Sequence, residues 1–196
     1  MLTDPVIKLW LSGLLFALIH SLTASVTVKT FFYRKGVSAQ GYRLGYVLLA
    51  LVTTTAWLVY IHRLPDQTLF VVQPPLRWIN YAIQALAIGC FILALQPIDI
   101  GVFLGIKRMP EQGEPFIETG IYRYQRHPMY AALILLLWAS PDQSVNSMNL
   151  YALVTLYCLL GSRLEERRLM HDHPEYGDYR RRVAAFIPHF RTMGPE

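Results

Sequence analysis

Leu44-Gly-Tyr-Val-Leu-Leu-Ala-Leu-Val-Thr-Thr-Thr-Ala-Trp-Leu-Val-Tyr-Ile61 runs for eighteen residues without a charge. A helix needs roughly 17 to 25 apolar residues to cross the hydrocarbon of a bilayer, so this stretch alone reads as a membrane span. Two further blocks have the same character: Val6 to Ala24, with Lys8 as its one charge, and Ile79 to Leu95, with none. The composition agrees, since 54% of the 196 residues are hydrophobic and only 16% are charged, against about 25% charged in a soluble domain. The chain reads as an integral membrane protein. Little length remains for a separate catalytic domain, so any active site lies in the membrane or at its surface.

Two shorter apolar blocks follow, Met129 to Pro141 and Ser147 to Gly161, parted by Asp142-Gln-Ser-Val-Asn146. At about 1.5 Å per residue a 13-residue helix reaches about 20 Å, less than the roughly 30 Å core. The pair is therefore either a re-entrant hairpin or two spans lengthened by their flanks, and both return the chain to the side it left. Fifteen basic residues fall on that side: Lys29, Arg34, Lys35, Arg43, Lys107, Arg108, Arg123, Arg126, Arg163, Arg167, Arg168, Arg180, Arg181, Arg182 and Arg191. Three, Lys8, Arg63 and Arg77, fall on the other. The positive-inside rule then places the N-terminus outside and the C-terminus in the cytoplasm. The expected fold is an all-α integral membrane protein of about five transmembrane helices with a cytoplasmic helical tail. In that tail Tyr176, Tyr179 and Val183 stand at helical spacing within Glu175 to Ile187, as on a short amphipathic helix. No alternation is long enough to predict a sheet. Residues 1–96 form a three-helix membrane region, and residues 97–196 hold the long loop, the hairpin and the tail, where the chemistry is expected.

Several function classes fall away. The net charge of +5 comes without a basic run interleaved with aromatics, so it marks cytoplasmic loops and not nucleic-acid binding. Cys90 and Cys158 lie inside apolar blocks, where a thiol behaves as a small hydrophobe, and suggest neither disulfide nor metal. The first block lacks a basic leader and a small-x-small cleavage site, and reads as a retained helix. The twelve glycines contain no G-x-G pair, and no P-loop, G-x-S-x-G, H-E-x-x-H or C-x-x-C occurs. Gly41-Tyr-Arg-Leu-Gly45 and Gly101-Val-Phe-Leu-Gly105 read as close helix packing. His171 and His173 read as solvated, and His20 as a hydrogen-bonded packing histidine within a span.

Two constellations could carry chemistry. In Glu118-Thr-Gly-Ile-Tyr-Arg-Tyr-Gln-Arg-His-Pro-Met-Tyr130, Pro128 suits the first helical turn, which sets Arg126 and His127 just before a helix N-terminus. Such a place attracts a carboxylate or phosphate at headgroup depth. The same residues also read as interface anchors, with Tyr122, Tyr124 and Tyr130 as an aromatic belt and His127 as a cap. Glu165 and Glu166 follow the fifth block, close to hydrocarbon and at an expected helix C-terminus, so they need partners. If the last two helices are antiparallel, Arg123, Arg126 and His127 supply them, either in a ligand site or in a structural latch.

Gly120-Ile-Tyr-Arg-Tyr-Gln-Arg-His-Pro-Met-Tyr130, Glu165-Glu-Arg-Arg-Leu169, Tyr176-Gly-Asp-Tyr179, Val183 and Ile187-Pro188, in that order and spacing, resemble the isoprenylcysteine carboxyl methyltransferase and phospholipid methyltransferase superfamily. His20-Ser-Leu-Thr-Ala-Ser25, Tyr42-Arg-Leu44 and Asp99 before Phe103-Leu-Gly-Ile106 resemble its bacterial members grouped with methanethiol S-methyltransferases and NnrU-like proteins. The resemblance implies S-adenosyl-L-methionine as methyl donor, in a cytoplasmic-side pocket of the last two helices and the tail. It implies donor binding by Gly120, Tyr122, Arg126, His127, Pro128, Tyr130, Glu165 and Glu166, with His127 and Arg126 as catalytic residues and no metal. The acceptor would be a small thiol or a lipid-like thiol, carboxylate or amine arriving from the bilayer, in this case a bacterial inner membrane. Two other readings stand beside it, an NADPH-dependent membrane reductase of the sterol-reductase type and a non-enzymatic NnrU-like accessory protein.

Overall fold

The structure is a computed structural model that describes residues 3–108, 110 and 116–188. Its elements are α1 (Thr3–Ala24), α2 (Val26–Arg34), α3 (Ala39–His62), β1 (Thr68–Val71), α4 (Leu76–Leu95), α5 (Ile100–Phe103), a 3-10 turn (Gly120–Arg123), α6 (Pro128–Trp138), β2 (Asp142–Ser144), α7 (Val145–Asp172) and α8 (Tyr176–Arg182). Asp4–Ala24, Ala39–His62 and Leu76–Leu95 are each long and apolar enough to cross a membrane, and most of their apolar side chains lie exposed. This is a helical membrane protein.

The last two apolar blocks differ from expectation. α6 has 11 residues, about 17 Å of helix, and α7 has 28. α7 does not stop at Gly161 but runs through Glu165 and Glu166 to Asp172, because Arg163-Leu-Glu-Glu-Arg-Arg-Leu-Met170 are nearly all strong helix formers. The two glutamates are therefore inside a helix and not at its C-terminus. Arg191, counted among the cytoplasmic charges, lies outside the described residues.

The chain divides into two compact units. One holds the described residues among 3–71, 99–110 and 142–153. Leu9, Trp57, Ile61 and Leu153 form its core, with the Trp57 indole donating to Ser12 Oγ at 3.1 Å and the Trp10 indole to Asn149 Oδ1 at 2.8 Å. His20 is buried, pairs with Thr53 Oγ1 at 3.0 Å and lies against Phe16, as a packing histidine would. β1 and β2 form an antiparallel two-stranded sheet with a register shift between Thr68 and Phe70, which corrects the expectation of no sheet. Only one of the small-residue pairs marks a tight approach. Gly45 would meet nothing within 4 Å if it carried a Cβ, whereas a Cβ on Gly105 would lie 2.6 Å from the Leu44 backbone nitrogen. That approach is a turn on the first turns of α3, fastened by Gln40 Nε2 to the Ile106 carbonyl and Arg43 Nε to the Phe103 carbonyl, both at 2.8 Å.

The other unit holds residues 72–98, 116–141 and 154–188. α4 and α6 run antiparallel, tied by Asn80 Nδ2 to the Ala139 carbonyl (3.1 Å) and Gln84 Nε2 to the Leu136 carbonyl (3.2 Å). Ala87 of α4 and Ala132 of α6 are both buried. α6 and α7 are also antiparallel. Trp138 Nε1 donates to Thr155 Oγ1 at 3.0 Å, and eleven residues along each helix His127 meets Glu166.

Gly105 has φ +76°, a conformation that costs a non-glycine residue of the order of 1–3 kcal/mol. Gly105→Ala should therefore lower stability by at least that amount in detergent, read as a drop in thermal midpoint. Gly45→Ala, in open space within α3, should leave stability unchanged or raise it by up to about 1 kcal/mol.

Candidate functional site

Pro128 occupies the first turn of α6, and the residue before a proline is excluded from helical backbone, so His127 is left as the N-cap. Its side chain makes no capping bond. The imidazole turns instead to α7, where His127 Nε2 and Glu166 Oε1 are 3.0 Å apart. Arg126 reaches the same oxygen, with Nε at 2.9 Å and Nη2 at 2.7 Å, and Arg180 Nε approaches Oε2 at 3.3 Å. The anion expected at this helix start is thus the protein's own Glu166. Burial raises its carboxyl pKa, but hydrogen bonds from Arg126 and His127 outweigh that and hold it below the usual carboxylate range.

Arg126 is nearly saturated. Besides Glu166, its Nη1 donates to the carbonyls of Arg180, at 3.1 Å, and Val183. The backbone nitrogens of Arg126 and His127 donate to the carbonyls of Ala184 (2.9 Å) and Ala185 (3.0 Å), beside a parallel bridge from Gln125 to Ala184. The tail after α8 is in this way bound to the segment before α6. Tyr176, Tyr179 and Val183 form the buried face of that tail, as their spacing predicted, with Phe116 and Leu169 against them.

The remaining candidates divide. Glu165 is 40% exposed, its Oε2 is 3.8 Å from His127 Nδ1, and it lies beside the Tyr130 hydroxyl. The Tyr130 ring stacks on His127 at 5.7 Å, and Phe186, which the sequence did not single out, lies against the same imidazole at 5.6 Å. Tyr122 is buried, its hydroxyl bonded to the Ala94 carbonyl and its own carbonyl accepting from Tyr179 Oη at 2.7 Å, so it ties elements together. Burial, then the Glu165 charge, pushes its phenol up to about 12. Gly120, at φ +60°, lines an open cleft of about 640 Å³ with Leu93, Gln96, Pro97, Thr119, Ile121, Arg123 and Tyr124, and none of Arg126, His127, Glu165 or Glu166 lines it. Arg123 thus stands apart from the glutamates it was expected to pair with. The Tyr176 hydroxyl is buried beside Arg126. Among the described residues no group of histidines, cysteines and carboxylates could hold a metal.

The fold and this cluster define a helical membrane protein with a buried arginine–histidine–glutamate centre where two antiparallel helices and a tail meet. The NnrU protein family model matches residues 8–186, and the chain belongs to that family. It is similar to the methanethiol S-methyltransferase of Pseudomonas deceptionensis, 27% identical over 192 residues, 90% of this chain and 70% of the relative. The Mycobacterium tuberculosis protein of that name is 28% identical over 93% of this chain and 78% of its own length. That of Pseudomonas sp. strain GM41(2012) is 34% identical over 83 residues, which is 42% of this chain and 32% of the relative. No solved structure matches.

Glu166 carries a pH signature. Its carboxyl titrates lower folded than unfolded, so its contribution to stability is present above the unfolded value of about 4.3 and is lost as pH falls through the folded value. The thermal midpoint should hold from pH 7 to about 5 and then decline, with a smaller decline in Glu166→Gln. Arg126→Ala, which strands the buried carboxylate and two carbonyls, should cost about 3 kcal/mol at neutral pH.

Proposed function

We propose that this protein is a membrane methyltransferase that moves a methyl group from S-adenosyl-L-methionine to a small thiol. The reaction is suggested by the relatives' names and by the resemblance carried by residues 120–130 and 165–188. The observation that carries it onto this chain is Glu165. Its carboxylate is the one acid of the cluster that stays half-exposed, while Glu166 is spent on Arg126, His127 and Arg180, and aromatic rings lie nearby. A carboxylate beside aromatic faces suits a cationic ligand with amino and hydroxyl donors. The residues fit the donor in these respects. Arg126, already committed to Glu166 and two carbonyls, positions the cluster and does not grip a ligand carboxylate.

When bound, the donor supplies a methyl carbon already activated by a sulfonium leaving group. What remains for the protein is to hold the reactants in line, exclude water and help the thiol lose its proton. Glu165 and Tyr130 hold the donor, and the Arg126–Glu166 pair holds the start of α6, α7 and the tail in place around it. A free thiol has a pKa of about 8.5, so proton removal is a real part of the task at neutral pH. The reading includes the orientation given by the charge asymmetry, with the N-terminus outside, the cluster facing the cytoplasm, and the bilayer as the acceptor's route. It places the protein in a bacterial inner membrane.

Calorimetric titration of S-adenosylhomocysteine into detergent-purified protein tests the proposal. Micromolar binding, weakened at least tenfold by Glu165→Ala, is the expected outcome, with turnover of methanethiol to its methyl thioether. Absence of binding by folded protein would sink it, and a response to NADPH instead would favour a reductase.

A further inference from the structure

We propose that the open cleft at the end of α4 is a binding site for the headgroup of an anionic phospholipid, with Arg123 as the residue that meets its phosphate. Neither Glu165 nor Tyr130 lines this cleft, so it is separate from the donor site proposed above. The inference stands whatever reaction the protein performs.

Depth is the first observation. α4, Leu76–Leu95, is long and apolar enough to cross a membrane. The cleft, of about 640 Å³, is lined by Leu93 in the last turn of that helix and by Gln96 and Pro97, the first residues beyond it. These positions fall within about 6 Å along the helix axis. The cleft therefore lies where hydrocarbon gives way to headgroups, and its volume is within the range of about 300–1,000 Å³ that small-ligand sites occupy.

Charge is the second. The 3-10 turn Gly120–Arg123 is held to the end of α4 by the Tyr122 hydroxyl, which donates to the Ala94 carbonyl at 3.3 Å. Ile121 and Tyr124, three residues apart and so on one side of the turn, line the cleft, and Arg123 lines it with them. The Arg123 side chain is exposed and, among the described residues, makes no ion pair or hydrogen bond. Arg126 and Arg180, by contrast, are taken up by Glu166, and Arg182 lies 3.6 Å from Glu118. No acidic side chain lines the cleft, and Glu118 beside it is the partner of Arg182. A guanidinium without a counter-charge presents its fork of donors to a phosphate, and Gln96 and Thr119 add neutral donors.

The mixed lining selects a lipid over a soluble anion. Leu93, Pro97 and Ile121 offer nothing to inorganic phosphate but suit the glycerol and first methylenes of an acyl chain. A zwitterionic headgroup would bring an ammonium as well, and the cleft has no carboxylate to receive it. A lipid of net negative charge is the better match. General attraction of one exposed cation to an anionic leaflet gives about fivefold in affinity and needs no cavity, so a built site has to exceed that figure.

The test titrates the detergent-purified full chain with dioleoylphosphatidylglycerol or dioleoylphosphatidylcholine and counts bound lipid by native mass spectrometry. The first phosphatidylglycerol should bind at least about tenfold more tightly than the first phosphatidylcholine and raise the thermal midpoint. Arg123→Gln should bring the two lipids within about twofold of each other, whereas Arg34→Gln, which removes an exposed charge at the end of α2, should keep the preference. Thr119→Asp sets a carboxylate in the cleft at an N-cap position, where aspartate is favoured, and should abolish the preference as well. That variant decides the outcome if Arg123→Gln does not fold. Equal binding of both lipids by the wild type, a preference that survives Arg123→Gln, or one lost equally in Arg34→Gln overturns the proposal. An Arg123-dependent rise in thermal midpoint with inorganic phosphate at the same concentrations would overturn the lipid assignment and give the cleft to a soluble anion.

Discussion

The Glu166 carboxylate is the constraint from which the rest of the centre follows. Taking a carboxylate out of water costs several kcal/mol, and the cost is recovered only when its oxygens are met by well-placed donors. Arg126 and His127 meet one oxygen and Arg180 the other. These donors come from the segment before α6 and from α8, more than fifty residues apart, and neither could lie elsewhere without stranding a charge. Arg126 extends the constraint by donating to carbonyls of the tail, where neighbouring backbone bonds continue it to Ala185. A polar hub of this kind defines position more than it adds net stability.

Because these charges are spent internally, what the centre can offer a ligand lies at its margin. Glu165 and Glu166 are adjacent, yet successive residues on a helix point about 100° apart, and that separation gives them different work. One is sealed among three cations or potential cations; the other is half-exposed beside Tyr130 and Nδ1 of His127. Paired acidic residues in a membrane protein's sequence thus need not share a role.

Much of this was legible in the chain, and the limits have physical causes. The three spans could be read because hydrocarbon demands long uninterrupted apolar runs. The start of α6 could be read from Pro128, and the meeting of the glutamates with the Arg126–His127 pair from the need to compensate charge near a bilayer. The end of α7 could not be read from hydropathy, which falls at Gly161 while helix propensity persists through Met170. β1 and β2 are too short for alternation to register, and β2 stands in the polar stretch that parts the last two apolar blocks. Gly105 and Gly45 look alike as letters, since neither the sign of φ nor the proximity of the Leu44 backbone is written locally. The tie made by Tyr122 and the packing of Phe186 on His127 depend on tertiary neighbours.

Which glutamate is buried is decided partly at the far end of the helix pair. Trp138 and Thr155 hydrogen-bond eleven residues from His127 and Glu166 along both helices, so the pair is fixed at two points and cannot slide. A neutral bond of this kind contributes only about 0.6 kcal/mol in a membrane protein. Its leverage is geometric, because slipping α7 by one residue would turn Glu166 away by about 100° and present Glu165 or Arg167 to His127 instead. Glu165 would then have to pair with Arg126 and give up its exposed position, and Arg167 would set a third guanidinium against a cation-rich centre. A weak contact near one end of a short helix therefore discriminates between a centre with an open edge and one without.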